Sequence, residues 1–257
     1  MDATGTNGVV ELTFEGGVAE LRFVDPDRRN CFSLDLAADL FELVRRLVDH
    51  DDLRTVAITG VDPVFCAGVD TGLIGGADPA AMDQVHEYRR PVFRWLRDGP
   101  VPVVVGAQGA AAGTGAYFLA AADIVVAGRN LSVWYPEVEY GIPTVEEAVH
   151  LAERVGRAKA LEMTLGGQAG ALDADAAKRW GLVTSVVDAD TVREATLECA
   201  RSIANGLQDE AIPQALRSTM TRVRREQTAA TLEWATEAQE RGRFGWMVAT
   251  SGRSLYE

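Results

Sequence analysis

Two glycine-bearing turns offer this chain a place to grip one oxygen atom. The first, Val64-Phe65-Cys66-Ala67-Gly68-Val69-Asp70, follows the apolar run Thr55-Val56-Ala57-Ile58-Thr59. The second, Gln108-Gly109 through Gly115-Ala116, follows Val101-Pro102-Val103-Val104-Val105 and opens an Ala-rich segment that reads as a helix. The first N–H groups of a helix have no intrahelical acceptor and carry partial positive charge. Two such donors from separate turns can converge on a developing oxyanion, which is commonly a large catalytic contribution. Other chemistries fit poorly. Gly113-Thr114-Gly115 lacks the third glycine of a dinucleotide fingerprint, and no Walker-type Gly-Lys-Ser/Thr occurs. No His-Glu-x-x-His or paired-cysteine motif points to a metal. Cys66 has apolar neighbours and no histidine placed in sequence to activate it.

Five stretches, in order along the chain, resemble the enoyl-CoA hydratase/isomerase (crotonase) family. They are Phe65 to Asp70, Gln108 to Gly115, Pro136-Glu137-Val138-Glu139-Tyr140-Gly141-Ile142-Pro143, Val155 to Met163, and Asp173 to Ala177 continuing through Trp180 to Val183. The resemblance implies an α/β fold, a ClpP-like spiral of ββα units with a C-terminal helical trimerisation region. It implies a core over residues 1–195, an oligomerisation region over 196–257, and a homotrimer or hexamer. The implied substrate is an acyl-CoA thioester, so coenzyme A enters with the substrate and no separate cofactor is expected. By motif register the oxyanion donors are the backbone N–H groups of Val69 and Thr114, with Ala67, Gly68, Asp70, Gly113 and Tyr117 lining the substrate and Arg28 or Arg29 facing the phosphates.

The acid/base groups depart from the hydratase pattern. Two-glutamate hydratases carry a glutamate where this chain has Tyr117, whose ordinary pKa near 10 makes it a poor base. The second glutamate position is kept as Glu137. One carboxylate beside an oxyanion site suits a proton shuttle, as in 3-enoyl-CoA to 2-enoyl-CoA isomerases. Addition of water normally uses two groups, so hydration ranks second, and a non-catalytic acyl-CoA binder is the alternative from another class. Burial near Trp134 or Tyr117 is expected to raise the Glu137 pKa. Read from alternation alone, 137–140 is instead a strand with Glu137 and Glu139 on one solvated face. Thr144 and Glu147 fit a capping box, and Glu146 or Glu147 is a weaker candidate for a second acid.

The elements that must position these residues follow from periodicity. Val9–Phe14 and Val18–Phe23 alternate around Gly16-Gly17 and predict a hairpin. Ser33 caps a predicted helix to about His50, and Asp78-Pro79 starts another to about Arg97, which carries His86. Strands at 101–105, 123–127 and 131–134 alternate with the helix at 114–122, implying βα units and parallel pairing. From Thr144 the pattern is helical apart from a strand at 182–187, with amphipathic segments at 188–206, 210–225 and 228–249.

The chain has 257 residues, 47% of them hydrophobic, which is globular composition. No apolar run is long enough to span a bilayer, and Met1 to Gly8 lacks a signal-peptide pattern, so a cytoplasmic protein without a membrane partner is expected. Cys31, Cys66 and Cys199 form no spaced framework. A net charge of −13 argues against nucleic acid and requires local arginines for an anionic coenzyme.

Overall fold

The computed structural model describes residues 1–74, 79–142, 144 and 146–207. Strands β1 (Asp2–Thr4), β2 (Val10–Glu15) and β3 (Val18–Phe23) form an antiparallel meander. Helix α1 (Leu34–Leu47) begins where the Ser33 hydroxyl accepts the Leu36 N–H at 3.2 Å. Strand β4 (Thr55–Gly60) runs parallel to β3 and is buried along its whole length, which its unbroken apolar run requires. A 3₁₀ turn (Thr71–Leu73) and helix α2 (Pro79–Asp98) follow, then β5 (Val103–Ala107), β6 (Ala110–Ala112) and α3 (Thr114–Ala121). The next turn of chain repeats that order: β7 (Ile124–Gly128), β8 (Ser132–Trp134), a 3₁₀ turn (Glu137–Tyr140) and α4 (Glu146–Val155). Then come α5 (Arg157–Gly166), β9 (Leu172–Asp173), α6 (Ala174–Arg179), β10 (Ser185–Val187) and α7 (Val192–Gly206).

Each ββα turn sends one strand to a long sheet ordered β1-β2-β3-β4-β5-β7-β10 and a short one to a second sheet ordered β6-β8-β9. The pairs β3–β4, β4–β5, β5–β7 and β7–β10 are all parallel, as the strand–helix alternation implied. One face of the long sheet is covered by α7, where Leu197, Ala200 and Ala204 meet Ala57, Val104 and Val126. Buried Glu20 fixes that helix by accepting both Arg193 donors at 2.8 and 2.7 Å and the Thr59 hydroxyl at 2.7 Å. The other face holds an aromatic core in which Phe118 packs on Phe23, Phe32, Phe65 and Phe93. Among the described residues no helix is long and apolar enough to cross a membrane.

Three local expectations change. Residues 110–112 are a strand and not part of an open loop, because their small side chains let Ala110, Ala111 and Ala112 pair with Ser132, Val133 and Trp134. Residues 137–140 form a 3₁₀ turn and not a strand with one solvated face, since Pro136 sits in helical backbone at φ −79°, ψ −5° and starts a helical turn. The capping box at Thr144 does not form: its hydroxyl is buried without a partner among the described residues, and Glu147 turns away to an arginine. Of the helical segments expected after 188, α7 lies within 188–206, and those at 210–225 and 228–249 lie outside the described residues.

Candidate active site

The two turns are laced to each other by backbone. Phe65 N–H donates to Gln108 O at 2.9 Å, Cys66 N–H to Ala110 O at 3.2 Å, and Ala112 N–H to Cys66 O at 3.1 Å. Gly68 stands at φ +90°, and a Cβ there would lie 2.7 Å from the Ala112 carbonyl oxygen, so only glycine lets the turns touch. The Gly68 carbonyl accepts Phe32 N–H at 2.7 Å, and Ala67 N–H donates to Arg29 O at 3.2 Å. That leaves the N–H of Val69 on one turn and of Thr114, first residue of α3, on the other. Neither meets an acceptor among the described residues.

Glu137 is carried to the same place by β8. The Trp134 carbonyl at the end of that strand accepts Gly113 N–H at 3.0 Å, and the chain then turns at Pro136. Gly113 has φ +51°, and a Cβ built on it would lie 2.7 Å from Glu137 Oε1. The carboxyl therefore rests against the residue that precedes Thr114. Its second oxygen, Oε2, is buried with no partner among the described residues. Burial first, and then the negative charge of Glu147, raise its pKa from 4.5 to about 7, against a smaller pull from Arg89. A carboxyl poised there can take and return protons near neutral pH. Glu139, two residues on, points elsewhere and accepts Gln168 N–H at 2.6 Å. Gly113→Ala is accordingly expected to push Glu137 aside, and with Glu137 as the base to lower turnover at least about a hundredfold, the cost of displacing a reacting group by about 1 Å. Steady-state kinetics on a folded variant checks this.

Tyr117 lies three residues after Thr114, fully buried, with its ring stacked on Phe93 at 4.4 Å between centroids. Its hydroxyl donates to Glu146 Oε1 at 3.1 Å, and burial together with Glu146 and Glu147 holds its proton on. Glu146 in turn receives Arg97 at 3.3 Å, which also grips Asp98 and contacts His150 Nε2 at 3.1 Å. Beside this, Arg89 and Glu147 form a buried pair at 2.6 Å, and Arg89 stands over the Tyr117 ring at 5.6 Å. Burial is the largest influence and works to raise the Glu147 pKa, but Arg89 together with a backbone hydrogen bond more than offsets it, so Glu147 stays a carboxylate. Both glutamates are held by arginines.

Arg28 is held by carboxylates. Its guanidinium pairs with Asp70 at 2.6 Å and Asp35 at 3.3 Å, so it braces the residue next to Val69. Asp70 also accepts Gly72 N–H at 2.9 Å. Two participants escaped sequence reasoning. Asn30, fully buried at φ +48°, staples the turns: its Nδ2 donates to Val61 O at 3.1 Å and Val64 O at 2.7 Å, and its Oδ1 accepts Asp25 N–H at 2.9 Å. Arg89 lies in register with buried Val85, Val92, Phe93 and Leu96 on α2, and a charge on an apolar stripe was the available signal. Cys66 is fully buried and its thiol is pushed up to about 12, which removes it as a nucleophile. Among the described residues no group of three or more His, Cys, Asp or Glu is arranged to hold a metal.

Residues 13–244 match the enoyl-CoA hydratase/isomerase family. The chain is 31% identical over 217 residues to 1,2-epoxyphenylacetyl-CoA isomerase of Escherichia coli, covering 80% of this chain and 82% of that one. It is 32% identical over 216 residues to a mevalonyl-coenzyme A hydratase of Aspergillus fumigatus, covering 83% and 77%. Among solved structures, an enoyl-CoA hydratase of Mycobacterium tuberculosis superposes with a TM-score of 0.75 at 28% identity, over 92% of this chain and 99% of that one. Human enoyl coenzyme A hydratase domain-containing protein 3 gives a TM-score of 0.75 at 26% identity, over 96% and 98%.

Proposed function

From the premise that the chain belongs to the enoyl-CoA hydratase/isomerase family and has its crotonase fold, we propose that it isomerises an enoyl-CoA thioester. The thioester oxygen accepts the N–H groups of Val69 and Thr114. That polarisation acidifies the carbon next to the carbonyl. The Glu137 carboxylate removes a proton there, leaving a dienolate whose charge rests on the held oxygen. Glu137 then returns the proton two carbons further along, so a 3-enoyl thioester becomes a 2-enoyl thioester with no net loss of atoms. The observation that carries this reading is the Glu137 carboxyl itself, seated against Gly113 with a free oxygen and a pKa of about 7. Ala67, Gly68, Asp70 and Gly113 shape the turns around the thioester, and Arg28, held by Asp70, faces the phosphates of the coenzyme. Coenzyme A arrives as part of the substrate, and the reading extends to a homotrimer or hexamer.

The names of the relatives divide between isomerase and hydratase, so the choice rests on Tyr117. A phenol already bonded to Glu146 is not a second base for orienting water. It does make a Tyr117–Glu146 proton relay, and this contact is what favours hydration as the second reading. Tyr117→Phe separates the two. Loss of the hydroxyl is expected to lower isomerisation less than about tenfold, whereas a hydration that draws on it falls by about 10²-fold or more. The direct test is to add 3-enoyl-CoA and 2-enoyl-CoA separately and follow absorbance of the conjugated thioester. A rise with the first supports isomerisation, and a fall with the second supports hydration. Tight binding with no change on either makes the protein an acyl-CoA binder.

A further inference from the structure

Two buried oxygens on the stretch that carries Glu137 have no partner among the described residues: the Tyr135 hydroxyl and Glu137 Oε2. They belong to residues that flank Pro136, so one short stretch after β8 carries both. Buried polar groups are nearly always hydrogen-bonded, and an unpaired one opposes folding. A phenylalanine at 135 would fill the same fully buried volume without that cost. The pair is also complementary in kind. A phenol donates and a carboxylate accepts, so a single oxygen function can be held between them.

We propose that Tyr135 is a further substrate-contact residue, whose phenol donates a hydrogen bond to a hydroxyl carried by the acyl group beside Glu137. The inference rests on the acyl-CoA reading above and narrows it to acyl groups that bear their own hydroxyl. The neighbourhood agrees. Burial, and then the charges of Glu137 and Glu147, hold the Tyr135 proton on, which keeps the phenol a donor. Tyr117 and Glu146 add a further polar contact one helical turn beyond Thr114.

The test is calorimetric titration of the full chain and of Tyr135→Phe with butyryl-CoA, 3-hydroxybutyryl-CoA and free coenzyme A. The unaltered protein is expected to bind the hydroxylated thioester about tenfold more tightly than butyryl-CoA, the yield of one well-made hydrogen bond. In Tyr135→Phe that ratio is expected to fall to within about twofold of unity. Equal affinities in the unaltered protein, or an unchanged ratio in the variant, overturn the role of Tyr135 while leaving the acyl-CoA reading intact. Failure of every thioester to bind overturns both. Thermal melting supplies a second readout. Removing an unpaired hydroxyl is expected to leave the melting temperature unchanged or higher, and a clear drop shows that the hydroxyl has a structural partner and sinks the inference.

Discussion

Glu137→Gln is expected to lower turnover of a 3-enoyl-CoA by about 10²–10⁴-fold while leaving acyl-CoA affinity within a few-fold, because the amide keeps the shape of the carboxyl but cannot take a proton. The unaltered enzyme should show an acid limb in kcat near pH 7, since the base must be ionised and burial with Glu147 sets its pKa at about 7. Kinetics from pH 5 to 9 check both statements. Undiminished turnover in the variant removes Glu137 from the mechanism. The same shift has a consequence for stability with a definite sign. The folded chain binds the Glu137 proton more tightly than the unfolded chain, whose glutamates ionise near 4.5. The stabilisation is therefore complete below about pH 4.5 and is lost as pH rises through about 7. At 1.36 kcal/mol per unit this is on the order of 3 kcal/mol. Glu137→Gln removes that dependence, so the variant should gain in melting temperature relative to the parent at pH 8 and not at pH 5. On the proposed mechanism the ionised form of Glu137 is both the one that works and the one that costs stability, the usual trade between function and folding.

Much of the frame was legible because it depends on patterns with one physical meaning. Ser33 caps α1 as its side chain demands. The unbroken apolar runs of β4 and β5 become strands buried on both faces, since no other element hides such a run. The two turns carrying Val69 and Thr114 meet as their glycines suggested, because backbone contact needs no particular side chain. What stayed hidden depends on pairing across long separations. Arg89 and Glu147 are 58 residues apart, and each alone reads as a solvated helix residue. Only their place on the buried stripes of α2 and α4 marks them. Glu146 was legible as an extra carboxylate but not as the acceptor for Tyr117, which depends on how α3 and α4 face each other. The charge of Arg28 was visible in the sequence, but its partners Asp70 and Asp35, 42 and 7 residues away, were not. The 3₁₀ turn at 137–140 hid behind an alternating pattern that a strand and a helical turn share over four residues.

The buried pair of Arg89 and Glu147 yields the largest expected effect on folding. Its atoms stand 2.6 Å apart with both side chains under one-tenth exposed, so neither charge has water to fall back on. Arg89→Met leaves Glu147 buried and uncompensated, and is expected to destabilise the fold by about 3–5 kcal/mol. Denaturant titration measures it. The double variant Arg89→Met, Glu147→Met is expected to recover most of that loss, because the penalty comes from breaking the pair and not from lacking it. Glu147→Gln tests the link to the site. After burial, Glu147 is the group that most raises Glu137, and Arg89 opposes it, so neutralising Glu147 must lower the Glu137 pKa from about 7. The acid limb of kcat then moves to lower pH and the Glu137 carboxylate becomes a weaker base. Turnover at pH 8 should fall modestly, while turnover at pH 5.5 should rise relative to the parent. A limb that stays in place shows that burial alone sets the Glu137 proton and that the arginine–glutamate pair serves the fold only.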